Sequence, residues 1–194
     1  MHTAAAVFFA LLIAGATLVG QPGVALADGG WLDAEPPMRW NPARAPLPAA
    51  SAGFSSDVAL ACVEETRKAE SDEDRAVVAA GYYLVGQYVA GWDLKAILGA
   101  SGFGDTCEPL DYNYFVFANG IFAGTVSPVA MNSGTDGAAV DVRIVGSDRL
   151  TVQFLRSGPG DPSCCASRES TGTYSISRLL GSPVLLLESA TAPA

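Results

Sequence analysis

The clearest pattern along the chain is an alternation of apolar and polar residues in its C-terminal half. Leu150, Val152 and Phe154 are each separated from the next by one polar residue, Thr151 or Gln153. Successive side chains of a β-strand point to opposite faces. The spacing therefore predicts a strand with one buried face and one solvent-facing side.

The segment AVDVRIV, which precedes this strand, follows the same period. Val140, Val142 and Ile144 are predicted on one face, and Asp141 and Arg143 on the other. A Gly-Ser-Asp turn separates the two segments. Together they predict an antiparallel pair.

An Asn-Gly dipeptide marks a second hairpin in the middle of the chain. Asn119-Gly120 lies between the apolar runs Tyr112–Ala118 and Ile121–Val126. Both residues tolerate the positive φ angles of a type I′ turn, and two apolar runs joined in this way are typical of a hairpin.

Other stretches rich in aromatic and β-branched residues predict further strands. They are Tyr82–Val89, Trp92–Leu98, Thr173–Ser177 and Val184–Glu188. The run GASGFG at 99–104 is expected to be a flexible loop.

Helices are expected only near the N-terminal side of these strands. Ser71 is followed three residues later by Asp74, which is similar to a capping box, and a helix is predicted from Asp72 to Ala80. A second short helix is predicted within Asp57–Glu70.

The segment from Asp28 to Ala52 has no period and contains five prolines within 36–48. It predicts an extended arm with polyproline character. Trp31 and Trp40 are expected to pack on the arm's own domain, the alternative being contact with a partner.

These elements predict an α+β fold that is mainly β. We expect one antiparallel meander sheet of about six to seven short strands, with one or two short N-terminal helices and the extended Pro-rich arm. The predicted organisation is a secretory signal peptide at 1–27, the arm at 28–53 and a single disulfide-tied globular domain at 54–190.

The N-terminus has the pattern of an export signal. The apolar run Ala4–Val19 spans roughly 24 Å as a helix, which is shorter than a bilayer core. An A-x-A motif at Ala25–Ala27 follows it, so cleavage after Ala27 is predicted, the alternative being a retained anchor. The mature protein would be periplasmic or extracellular and would have no transmembrane span.

Charge and histidine content exclude several kinds of activity. The chain has 11 Lys+Arg, 20 Asp+Glu and a formal net charge of −9, which argues against a nucleic-acid partner. The single histidine, His2, would leave with the signal peptide, and this argues against histidine-based catalysis and imidazole metal sites. We therefore assign no catalytic, cofactor-binding or metal-binding residue.

The four cysteines of an exported chain predict two disulfides. Adjacent Cys164 and Cys165 would point to opposite faces of an extended segment, which favours separate bonds to Cys62 and Cys107. A bond between the neighbours, with Cys62 joined to Cys107, is the alternative. It would hold two Cα atoms about 3.8 Å apart, below the usual range.

Four segments carry a family resemblance. The segments CEPLDYNYFVFANGIFAGTVSPVAMNSGTDGA (107–138) and FLRSGPGDPSCCAS (154–167) resemble the LppP/LprE-type lipoproteins, and the W-N-P…P-L-P-A-A arm (40–50) and DRAVVAAG (74–81) are similar to exported bacterial members of the same kind. The resemblance extends over about residues 31–188. It implies an exported bacterial envelope protein of undefined molecular function, with no catalytic residue to carry over. The sequence departs from the family at Gly134, where Arg is frequent, at Ala166, where Pro is usual, and in lacking a lipobox cysteine.

Three functions fit the sequence. The first is a non-catalytic binding or structural module with an envelope or extracellular partner. The second is a secreted hydrolase acting on a glycan or other envelope polymer through paired carboxylates, for which Asp105, Glu108 and Asp111 are the candidates. The third is an inhibitor or surface-structural domain that presents the loop Gly158–Ser163.

Eight aromatic residues are expected to pack mainly in the core, the alternative being that they line a binding face. They are Tyr82, Tyr83, Tyr88, Tyr112, Tyr114, Phe115, Phe117 and Phe122.

Overall fold

The structure, a computed structural model, describes residues 30–191 and is mainly β within them. The first of its two antiparallel sheets has the order β1-β3-β4-β5, and β2 pairs with the same edge of β3 as β1. Its strands are β1 (Tyr83–Leu84), β2 (Val89–Gly91), β3 (Leu94–Phe103), β4 (Pro109–Ala118) and β5 (Ile121–Thr125).

The second sheet is a four-stranded meander with the order β6-β7-β8-β9. Its strands are β6 (Ala139–Gly146), β7 (Arg149–Arg156), β8 (Arg168–Leu179) and β9 (Ser182–Ala190). The mainly β prediction is confirmed. The prediction of one sheet with six to seven strands is wrong, because the described residues form nine strands in two sheets.

Two short α-helices precede the strands, α1 (Ser56–Ala61) and α2 (Asp72–Ala79), with 3-10 turns at Gly30–Asp33 and Val63–Glu65. The capping box of α2 is confirmed, since the Ser71 side chain and the Asp74 backbone and side chain bond reciprocally. Within residues 30–191, the helices lack the length and apolarity needed to cross a membrane.

The main core lies between the two sheets. Leu150, Val152 and Phe154 are fully buried there, which confirms the alternation predicted for β7. Tyr112 and Val116 of β4 meet them from the first sheet. A second apolar cluster, which contains Val77, Tyr82, Ile97, Phe115 and Phe117, covers the opposite face of the first sheet.

Two details of the predicted strands are wrong for physical reasons. The register of β6 shifts between Ala139 and Asp141, and this bulge leaves Val140 47% exposed instead of facing inward with Val142. The predicted loop at 99–104 is mostly strand, because β3 continues to Phe103. A Cβ atom on Gly99 would lie 2.9 Å from the Phe115 ring, so the small residue permits close packing rather than flexibility.

The aromatic segment predicted as one strand over 82–89 is divided into β1 and β2. The Asn-Gly hairpin is confirmed: Asn119 and Gly120 have φ angles of 50° and 75° and join β4 to β5.

The N-terminal arm packs into the core. Trp31 has no exposed surface and makes edge-to-face contacts with Trp40 and Phe154. Beside it, the buried guanidinium of Arg156 donates two hydrogen bonds to the Asp33 carboxylate, at 3.1 and 2.6 Å. The predicted signal peptide and its cleavage site lie outside the described residues.

The disulfide pairing differs from the one that the sequence favours. Cys62 bonds to Cys107, with Cα atoms 5.4 Å apart, and Cys164 bonds to Cys165. The error has a local cause, because the adjacent cysteines lie in a turn and not in an extended strand. The Cys165 N–H donates to the Pro162 carbonyl at 3.0 Å, and the opposite orientation of strand neighbours does not apply there.

Candidate functional site

A cleft of about 360 Å³ lies between the arm and the outer face of the first sheet. The arm forms one wall, and β4, β5 and the segment after β5 form the floor and the other wall. Its lining residues are Trp40, Asn41, Pro42, Ala45, Pro46, Pro48, Ala49, Ser51, Tyr82, Asp111, Asn113, Phe122, Thr125, Ser127, Pro128, Val129 and Ala130.

Asn41 fixes the first end of the arm by bridging the two sheets. Its amide nitrogen donates to the carbonyls of Thr125 in β5 and Leu185 in β9, at 3.0 and 3.1 Å. Its amide oxygen accepts from the Thr125 N–H at 2.9 Å. The neighbouring Gly124 leaves room for this side chain, since a Cβ there would lie 2.3 Å from Asn41 Cγ.

Further hydrogen bonds hold the arm along its length. The Trp40 indole donates to the Thr125 carbonyl at 3.0 Å, and the Arg44 guanidinium donates to the Leu180 carbonyl at 2.9 Å. At the other end, the Ser51 N–H donates to Ser101 Oγ, and the Tyr82 hydroxyl donates to the Ala49 carbonyl. The wall is therefore built into the fold.

Asp111 supplies the charge of the cleft. Its backbone has a left-handed φ of 45°, and its N–H donates to Asn132 Oδ1 while its carbonyl accepts from Ser101 Oγ. Among residues 30–191, its carboxylate has no hydrogen bond or ion pair. Aspartate is one of the residues that adopt this left-handed region most often.

The Asp111 carboxylate interacts electrostatically with Tyr82, another residue that lines the cleft. Burial raises the pKa of the Tyr82 hydroxyl, and the nearby Asp111 carboxylate raises it further. The neighbouring amide of Asn113, in contrast, is fully engaged with the chain: it donates to the Ser127 and Val129 carbonyls and accepts from the Ser127 N–H.

The three carboxylates proposed for a hydrolase have different surroundings. Asp105 is exposed in the turn between β3 and β4 and does not line the cleft. Glu108 accepts hydrogen bonds from the side chain and backbone of Thr106, and these bonds lower its pKa. Only Asp111 of the three lines the cleft, so the structure does not assemble them as an acid and a base around one space.

Most of the aromatic residues named above pack in the core, as predicted. Tyr112, Phe115 and Phe117 are buried, whereas half-buried Phe122 lines the cleft with Tyr82. Sequence reasoning missed Asn41 and Trp40 as parts of the cleft. Their signal is the W-N-P triplet, in which a hydrogen-bonding amide stands between an indole and a proline.

Several other charged groups among residues 30–191 are engaged structurally. Arg67 forms a two-pronged ion pair with buried Asp74, at 2.8 and 2.6 Å. Arg156 bonds to Asp136 as well as to Asp33. Residues 30–191 contain no group of three or more His, Cys, Asp or Glu side chains that could hold a metal ion.

A second surface feature is the loop at 157–167, which carries the exposed Cys164–Cys165 disulfide. Asp161 organises it by accepting from the Gly158 N–H and from Ser167, and these hydrogen bonds lower the pKa of Asp161. The Ala166 N–H donates to the Gly134 carbonyl at 3.0 Å, so two of the three departures from the family resemblance meet in one contact. A proline at 166 would have no N–H for that bond.

The described residues form two packed β-sheets that an N-terminal arm covers, and the arm also forms one wall of the cleft. Residues 86–178, from within the β1–β2 connection almost to the end of β8, match the family model described as LppP/LprE lipoprotein. The resemblance predicted from the sequence is thus confirmed over this segment. The match to a lipoprotein family supports the prediction of an exported envelope protein of undefined function. No curated protein and no solved structure matches the chain.

Proposed function

We propose that this protein is an exported, non-catalytic binding module of the cell envelope or extracellular space, and that the cleft beneath the arm is its ligand site. The observation that carries the proposal is the hydrogen-bonded arm, which creates the cleft before any ligand arrives. A preformed site avoids the conformational entropy that ordering a loop around a ligand would cost.

The composition of the walls supports the same proposal. Binding sites for small molecules are mostly apolar clefts with a few placed polar groups, in the range of about 300–1,000 Å³. The cleft combines aromatic and proline surfaces with one free carboxylate, and its volume of about 360 Å³ lies at the lower end of that range.

The cleft favours binding over glycan hydrolysis. Hydrolysis by paired carboxylates needs two of them roughly 5 to 9.5 Å apart, on either side of the scissile bond. Among the described residues that line the cleft, Asp111 is the one carboxylate.

The proposal assigns a role to each part of the chain. Residues 1–27 would direct export and be removed after Ala27. Segment 28–53 would serve as a wall of the ligand site, and 54–190 would supply the sheets that it covers. An intact mass that begins at Asp28 in an exporting host would support this assignment, and one that keeps Met1 would contradict it.

Filling the cleft tests the site. Ala49 is exposed on the cleft wall, and its carbonyl bond to Tyr82 is kept in Ala49→Trp. Ala61→Trp, at an exposed position on α1 outside the cleft, is the matched control. We expect small aromatic, amine and sugar probes that shift the backbone NMR resonances of Tyr82 and Phe122 to lose this effect in Ala49→Trp only. Probes that shift no cleft resonance, or that bind equally to both variants, would contradict the proposal.

A further inference from the structure

We propose that the ligand of the cleft is a small organic cation, held with its ammonium group against Asp111 and its carbon skeleton against the aromatic and proline surfaces. This inference rests on the proposed function and narrows the class of ligand. Three independent features of the cleft carry it: its charge, its aromatic lining and its size.

The charge of the cleft is negative and uncompensated. None of its described lining residues is Lys, Arg or His, and Asp111 is the one charged member. Elsewhere, buried or half-buried carboxylates such as Asp74 and Asp136 are paired with arginine. The free carboxylate in a partly enclosed space therefore attracts a cation from outside the chain, and the net charge of −9 adds a favourable long-range field.

The aromatic lining suits an organic cation better than a metal ion. Trp40, Tyr82 and Phe122 all line the cleft, and the faces of such rings attract ammonium groups. A bare divalent ion requires several oxygen ligands, which one carboxylate does not supply. The prolines at 42, 46, 48 and 128 add apolar surface for the skeleton of the ligand.

The size of the cleft limits the ligand to a small molecule. A volume of about 360 Å³ accommodates an amine with a short chain or a single ring, but not a folded protein segment. Simple quaternary and primary amines are therefore suitable probes.

Asp111 permits a clean removal of charge. In Asp111→Asn, the side chain keeps its shape, and asparagine is among the residues that best tolerate the left-handed φ found here. The backbone hydrogen bonds to Asn132 and Ser101 involve main-chain atoms of residue 111 and are kept. Asp105→Asn makes the same change of charge at an exposed position outside the cleft and is the matched control.

The experiment compares choline with its neutral isostere 3,3-dimethylbutan-1-ol, using NMR titration of the full chain. We expect choline to shift cleft resonances with an affinity about tenfold higher than that of the neutral compound. Asp111→Asn should remove this preference, and Asp105→Asn should keep it. Added salt should weaken choline binding more than binding of the alcohol.

The outcomes separate this inference from the proposed function. If both compounds bind equally and Ala49→Trp abolishes the binding of both, the cleft is a ligand site, but the proposal of a cationic ligand is wrong. The same conclusion follows if Asp111→Asn leaves the preference for choline intact. If neither compound binds and no other probe shifts a cleft resonance, both proposals fail.

Discussion

The two sheets of this protein differ in how much of their surface is covered. The first sheet is buried on both faces, with the shared core on one side and the cluster around Val77 and Phe115 on the other. The second sheet is buried on its inner face, while polar residues such as Thr151, Gln153 and Thr171 stand on its outer face. The cleft lies on the doubly covered sheet, where an additional layer provides a second wall.

The largest effect that would test this comparison comes from the outer cluster of the first sheet. Phe115→Ala should lower the free energy of unfolding by about 3–5 kcal/mol, because Phe115 is fully buried against Tyr82 and Phe122. Gln153→Ala on the outer face of the second sheet should change it by less than about 0.5 kcal/mol. Urea unfolding measures both values, and equal losses would contradict the difference between the sheets.

The disulfide beside the first sheet should contribute more to the free energy of unfolding than the disulfide in a loop of the second sheet. The bond between Cys62 and Cys107 spans 45 residues, so its replacement by a pair of alanines should cost about 4 kcal/mol in the chain-entropy estimate. Replacing Cys164 and Cys165 together should cost much less, since the ring between adjacent residues restricts little of the unfolded chain.

Reduction provides a second measurement on the same bonds. Cys62 is 2% exposed, whereas Cys164 and Cys165 are exposed on their loop. Under limiting dithiothreitol followed by alkylation, we expect peptides that contain Cys164 and Cys165 to be labelled first. Labelling of Cys62 first, or recovery of Cys164 linked to Cys62 or Cys107, would overturn this expectation.

Acid should destabilise α2, which covers the outer face of the first sheet, by protonating the Asp74 carboxylate. Burial alone would raise the pKa of Asp74, but hydrogen bonds from Arg67 and from the Glu70 and Ser71 N–H groups outweigh it, and the pKa falls from 3.8 to about 2. A lowered pKa in the folded state stabilises the fold above the unfolded-state pKa, by about 2 kcal/mol for this shift. That contribution is lost as the pH falls from about 5 toward 2.

The measurement is urea unfolding across this pH range for the parent chain and for Asp74→Asn. The variant should be less stable at neutral pH and should lack this part of the acid dependence. Asp72→Asn, whose carboxylate is 94% exposed, is the control and should leave the acid dependence nearly unchanged. An identical pH profile for the parent and Asp74→Asn would show that Asp74 does not carry the effect.

The smallest predicted difference lies within β6 of the second sheet. Val142→Ala should cost about 2 kcal/mol because Val142 is buried in the core. Val140→Ala should cost less than about 0.5 kcal/mol, because the bulge turns Val140 toward solvent. A large loss for Val140→Ala in thermal or urea unfolding would mean that β6 has the unbulged register.

The contrast between the sheets also explains what sequence reasoning could predict. In β7 one face is directed toward solvent, so the alternation of apolar and polar residues indicates both the strand and its buried residues. In β3 both faces are covered, and the small residues around Gly99 look like a loop although they allow Phe115 and Val77 to approach closely. Local chemistry was sufficient for the turn at Asn119 and the cap at Ser71.

Long-range partners could not be predicted in the same way. The Cys62–Cys107 bond depends on how α1 lies against the end of β3, and the bridging role of Asn41 depends on two strands far along the chain. For the cleft, Asp111 was among the candidate residues, but the arm that encloses it had only a proline-rich composition and the W-N-P triplet as its signals.

The Asn41 bridge has a consequence for the order in which the protein matures. Asn41 is made early, but one of its acceptors, the Leu185 carbonyl, lies 144 residues later. Contacts of such separation form late in folding, because the closure of a long loop precedes any gain from the contact. Asn41 can therefore join the two sheets only after β9 is in place, whereas its bonds to Thr125 in the first sheet do not depend on β9. A nascent or truncated chain without β9 would lack this link between the sheets.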